Sequence, residues 1–122
     1  MVSILNQPEP AVNSISDKLI VHCGRQICFI EIGSIGYIEA CNYYALIFTK
    51  DKTYIARQPL DEFEKKLDAH SFLRIHRSII LNLNIFQCME RENKKLVVRT
   101  TIGKTFKISR YRQKAIKNRI LA

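Results

Sequence analysis

The stretch IGYIEACNYYALIFT, residues 35–49, decides how this chain is read. Apolar and aromatic side chains dominate Gly36 to Cys41 and again Tyr44 to Thr49, and a short polar segment, Asn42-Tyr43, separates them. Two β-rich runs divided by turn residues describe a strand, a tight connection and a second strand. The pattern extends in both directions. Upstream, Lys18 to Cys23 and Gln26 to Ile30 flank Gly24-Arg25 as a hairpin, and Glu31 to Ser34 is a brief interruption. Downstream, Lys50-Asp51-Lys52 turns the chain into Thr53 to Arg57. The result is a meander of strands.

At Pro59 the period changes. Leu60, Phe63 and Leu67 fall three and four residues apart on one face, which predicts a short helix. Proline suits its first turn, and Asp61 and Glu62 complement the positive end of its dipole. Strand character returns at Ser78 to Leu83, Ile85 to Met89, Leu96 to Thr101 and Thr105 to Ile108, with Asn93-Lys94-Lys95 and Ile102-Gly103-Lys104 as turns. Ser109 is placed as the N-cap of a closing helix through Ile120. Residues 1–17, with Pro8 and Pro10 and no period, read as a linker or tail ahead of one domain over residues 18–122.

A chain of 122 residues, 47% apolar, buries one domain's worth of core. Its formal charge of +9 comes from 20 Lys and Arg against 11 Asp and Glu. After Glu92 the chain carries Lys94, Lys95, Arg99, Lys104, Lys107, Arg110, Arg112, Lys114, Lys117 and Arg119 and no acid. Such a field points to a polyanion, nucleic acid ahead of an anionic membrane surface, with a merely solvated basic surface as the alternative. No apolar run approaches the roughly 20 residues that cross a bilayer.

Cys23, Cys28, Cys41 and Cys88 are irregularly spaced and sit in apolar, strand-like stretches. They read as free thiols acting as small hydrophobes in a reducing compartment, the cytoplasm. His22, His70 and His76 lack the spacing of a metal site, and no cofactor is expected. There is no phosphate loop, nucleophile elbow or close Ser, His and carboxylate grouping, so the chain reads as no enzyme. Solvation accounts for Asp61, Glu62 and Glu64 on the polar helix face.

Three clusters at breaks between strands carry binding chemistry. In Asn42-Tyr43-Tyr44 an amide able to pair with adenine stands beside rings that can lie on sugar or a base methyl, or else the cluster is a turn Asn with core tyrosines. In Arg74-Ile75-His76-Arg77-Ser78, alternation puts Arg74, His76 and Ser78 on one side of an extended segment and Arg77 opposite, with arginine the usual reader of guanine. Salt bridges from this cluster to the helix of Asp61 to Asp68 are the alternative. In Ser109-Arg110-Tyr111-Arg112 a helix start would favour a phosphate, with Arg110 and Arg112 adding charge-assisted contacts. Lys114, beyond it, is either part of that anchor or solvated.

The order of these features resembles the LytTR DNA-binding domain found at the C-terminus of many bacterial response regulators. The match is carried by IGYIEACNYYALIFT (35–49), ARQPLDEFEKKL (56–67), FLRIHRSIILNL (72–83) and FKISRYR (106–112). The run ahead of Asn82 is its most specific part. The resemblance implies a mostly β fold, an elongated stack of antiparallel sheets with one short internal helix and a C-terminal helix. It implies sequence-specific duplex DNA binding as the output domain of a two-component transcription regulator, with loops in place of a helix-turn-helix and promoter direct repeats as targets. Asn42, Tyr43, Arg77 and Arg110 become candidate base contacts, and His76, Ser78, Arg112 and Lys114 candidate backbone contacts. Self-association on DNA and an upstream receiver or sensory domain are further partners the resemblance implies. A sequence-indifferent RNA-binding or ribosome-associated β domain is the reading from charge alone that competes with it.

Overall fold

The computed structural model describes residues 17–121. The expected tail therefore lies outside the described residues except for Asp17, whose carbonyl accepts a hydrogen bond from Ile32 N at 2.9 Å. Within the described residues the chain forms ten strands in three antiparallel sheets, with two α-helices.

Strands β1 (Lys18–Cys23) and β2 (Gln26–Glu31) form a hairpin. Its turn carries Gly24 at φ +67°, a backbone conformation open to glycine at no steric cost. The central sheet contains β3 (Ile35–Cys41), β4 (Tyr44–Thr49), β5 (Thr53–Ala56), β6 (Phe72–His76) and β7 (Ile79–Asn82) in the order β5-β4-β3-β7-β6. Helix α1 (Leu60–Lys66) connects β5 to β6. The third sheet orders β8 (Phe86–Glu92), β9 (Lys95–Thr100) and β10 (Thr105–Lys107), and α2 (Gln113–Leu121) closes the chain.

Alternation along the central strands sends side chains to both faces, which is why three layers stack. Ile38, Ala45, Ile47, Phe72 and Ile80 meet Leu19, Val21 and Ile30 of the hairpin and Leu60, Phe63 and Leu67 of the α1 segment. On the other face Tyr37, Leu73, Ile75 and Leu81 meet Leu96, Val98, Phe106, Ile108 and Ile116. Burying each of the Leu, Ile, Val and Phe side chains among them contributes on the order of 1.5–3 kcal/mol. Asn82 is buried with its amide partnered: Nδ2 donates to Ile35 O at 2.8 Å and Oδ1 accepts from Asn84 N at 3.0 Å. It ties the end of β7 to the start of β3.

The structure corrects several expectations. The segment Phe72–His76 is a strand, whereas the sequence showed strand character only from Ser78. Arg74 and His76 break the apolar run, yet both are half-buried members of β6. Ser109 makes no side-chain cap, and a 3-10 turn over Arg110–Arg112 delays the α-helix to Gln113. Cys41 and Cys88 are exposed, so packing as small hydrophobes holds only for the half-buried Cys23 and Cys28.

Candidate nucleic-acid interface

Strand register brings the first two clusters to one end of the central sheet. Cys41 pairs with Tyr44, which leaves Asn42-Tyr43 as a two-residue loop between β3 and β4. Asn42 sits at φ 57°, a left-handed conformation that asparagine tolerates better than most residues. In the neighbouring hairpin His76 pairs with Ile79, leaving Arg77-Ser78 at the tip. Glu39 pairs with Ile79, and Ala40 N donates to Ser78 O at 2.9 Å, so both loops project from the same end.

The third cluster joins them from the outer side. Ser109 N donates to Ile75 O at 2.8 Å, fixing the 3-10 turn beside the C-terminal end of β6, an edge strand. On the opposite edge Ala45 pairs with Ala56, so Arg57 leaves β5 at the same end. From one edge to the other the end therefore carries Arg57, Tyr44, Tyr43, Asn42, Ser78, Arg77 and Ser109 to Arg112.

Exposure separates the groups open to a partner from those that pack. Tyr43 is 84% exposed, Tyr111 93% and Tyr44 41%, which removes the alternative of core tyrosines at Asn42-Tyr43-Tyr44. Asn42, Arg77, Arg110 and Lys114 are exposed, whereas His76, Ser78, Ser109 and Arg112 are half-buried. His76 Nδ1 accepts from Ser78 N at 3.1 Å and so shapes the loop from inside, with Nε2 left over for an outside partner.

Arg74 takes the structural alternative. Its side chain is only 8% exposed, and Nη1 donates to Asp61 Oδ1 and Glu64 Oε1, each at 2.8 Å. Nε donates to His76 O at 3.0 Å, and Nη2 donates to Arg77 O. One guanidinium thus binds α1 to both carbonyls at the tip of the β6–β7 hairpin. Asp61 and Glu64, read from sequence as solvated with salt bridges to this cluster as the alternative, are its counter-charges. The Arg74 hydrogen bond and charge hold the Asp61 carboxyl below the usual carboxylate range, and Lys65 and Arg112 lower it further. Arg74 is therefore a positioning residue for Arg77, not a free cation.

The basic field after Glu92 is likewise partly spent. Arg99 Nε donates to Glu90 and Nη2 donates to Glu92 at 3.3 Å, across the β8–β9 ladder. Sequence order concealed this because the acids lie on the preceding strand. Among the described residues no group of three or more His, Cys, Asp or Glu is placed to hold a metal ion.

Residues 25–121 match the model of the LytTr DNA-binding domain. The chain belongs to the LytTr DNA-binding domain family. Its fold agrees with a solved LytTr DNA-binding domain of a putative methyl-accepting/DNA response regulator from Bacillus cereus, at a TM-score of 0.74 and 19% identity, covering 85% of this chain and 96% of that one. It is also 30% identical over 117 residues to the sensory transduction protein LytR of Staphylococcus haemolyticus, spanning 95% of this chain and 46% of that protein. A heme-containing CO-sensing transcriptional regulator of Paraburkholderia xenovorans, RcoM 2, is 32% identical over 66 residues, 54% of this chain and 25% of that protein. The LytTr chain thus spans about half or less of the length of LytR and RcoM 2. Sequence reasoning passed over two exposed members of the row, Arg57 and Tyr111. Tyr111 lay inside a quoted cluster, and Arg57 looked like a strand terminus.

Proposed function

We propose that this LytTr domain reads duplex DNA by sequence, as the output domain of a transcription regulator. The observation that carries this is the row of exposed amide, phenol and guanidinium groups on loops at one end of a rigid sheet. Arg74, paired with Asp61 and Glu64, holds the loop of Arg77 in place through two loop carbonyls. Loops on a packed scaffold can present side chains to base edges with little loss of conformational freedom on binding.

In this reading Asn42, Tyr43, Arg77 and Arg110 address bases, Arg77 through the bidentate geometry that guanine favours. Ser78, Arg112, Lys114 and the free nitrogen of His76 address the backbone, which sets register without carrying sequence information. Tandem copies on promoter direct repeats, contacts between those copies and a receiver or sensory unit upstream complete the proposal. The name and length of LytR, a sensory transduction protein more than twice the span matched here, support a further sensory unit beside such a domain. Among the described residues no helix is long and apolar enough to cross a membrane.

Titrating the full chain at one salt concentration with duplex DNA, structured RNA and anionic vesicles tests the proposal. Tightest binding to duplex, with preference among duplexes, is expected. Equal or tighter binding to RNA would overturn it in favour of a sequence-indifferent RNA binder.

A further inference from the structure

We infer that Arg57 is a phosphate-binding residue that extends the contact row one strand beyond the Asn42 loop, an inference that rests on the duplex reading above. The β4–β5 register places Arg57 immediately after the Ala45–Ala56 pair, at the same end of the sheet as Asn42 and on its outermost strand. Its guanidinium carbon lies 5.6 Å from the centroid of the Tyr44 ring. Tyr44 in turn is the register partner of Cys41, directly flanking Asn42-Tyr43.

Stacking matters because a guanidinium laid on a ring keeps its N–H edge free and is already ordered when a phosphate arrives. Charge accounting points the same way. Arg74 and Arg99 each hold two carboxylates, but among the described residues Arg57 has no carboxylate within salt-bridge distance. Of the acids next along the chain, Asp61 is paired with Arg74, and Glu62 accepts a hydrogen bond from the Gln58 amide at 3.2 Å rather than pairing with Arg57. An exposed, pre-ordered and uncompensated cation beside a base-reading loop is suited to a phosphate flanking the base that Asn42 contacts. One strand spacing of about 5 Å extends the footprint by roughly one to two base pairs.

The test uses a duplex selected by the wild-type chain, with Arg57→Ala and Arg57→Gln compared over a salt series and by phosphate-ethylation interference. Both variants should fold, since the side chain is exposed, and this is checked by circular dichroism. Affinity should fall roughly fivefold to tenfold on every sequence alike, with the log-log salt slope reduced by about one. Interference should be lost at the flanking phosphate beyond the Asn42 base, while base preference stays as in wild type. If wild type binds the duplex and either folded variant keeps its slope and every interference position, the inference fails and the duplex reading stands. If wild type shows no salt-dependent duplex binding, both fail together.

Discussion

Arg74 Nη1 lies 2.8 Å from Asp61 Oδ1, and through this contact a buried cation in β6 is tied to the first turn of α1. The same guanidinium holds the carbonyls of His76 and Arg77, so the helix and the proposed reading loop share one fastening. Arg74→Ala should lower stability by about 1–2 kcal/mol in denaturant titrations, since the carboxylates left behind are open to water. It should also weaken duplex binding although Arg74 is not a contact. Arg74→Lys should recover little, because an ammonium cannot span these acceptors. A variant indistinguishable from wild type in both assays would remove the positioning role.

The pH dependence of this fastening has a definite sign. Asp61 is held below the usual carboxylate range by Arg74, so its contribution is fully present above the unfolded-state value and is lost as pH falls through the lowered native value. Asp68, lowered chiefly by the His70 backbone N–H, acts in the same direction. The melting-temperature advantage of wild type over Asp61→Asn should therefore hold near neutrality and vanish in acid. An advantage that grew on acidification would contradict the assignment.

Reading and anchoring should fail differently. Arg77→Ala should cost roughly 1–3 kcal/mol on a preferred duplex and relax preference at one base pair. Lys114→Ala should weaken all duplexes alike and lower the salt slope by about one. Parallel binding isotherms on matched and single-substituted duplexes separate the two. An Arg77→Ala variant with unchanged preference would take Arg77 out of the reading set.

Salt should weaken binding steeply, with a log-log slope corresponding to on the order of 4–8 phosphate contacts. Arg99 supplies an internal control, because its charge already faces Glu90 and Glu92. Arg99→Ala should leave the slope of wild type unchanged. A loss equal to that of Lys114→Ala would mean the two carboxylates do not commit it.

Most strands were legible because alternating apolar residues and turn chemistry agree at Gly24-Arg25, Asn42-Tyr43 and Asn93-Lys94. Strand β6 was not, because Arg74 and His76 look like surface chemistry until their partners on α1 and the adjacent loop are brought together. The clusters were legible as local concentrations of polar and basic residues, but their shared placement is a property of register. Nothing in one dimension says that Ala40 N meets Ser78 O, or that Ser109 N meets Ile75 O. Arg57 escaped notice for the same reason: its value lies in Tyr44, thirteen positions earlier.

Selection of bound sequences from a random duplex pool tests the central claim most directly. The row from Asn42 through Arg77 to Arg110 predicts enrichment of a defined motif. Asn42→Ala and Arg110→Ala should relax it at separate positions, since the two strand spacings from β3 to β6, about 10 Å, correspond to roughly three base-pair rises. A pool that emerges without any enriched motif, while the folded chain still binds duplex, would show that this end of the sheet holds DNA without reading it.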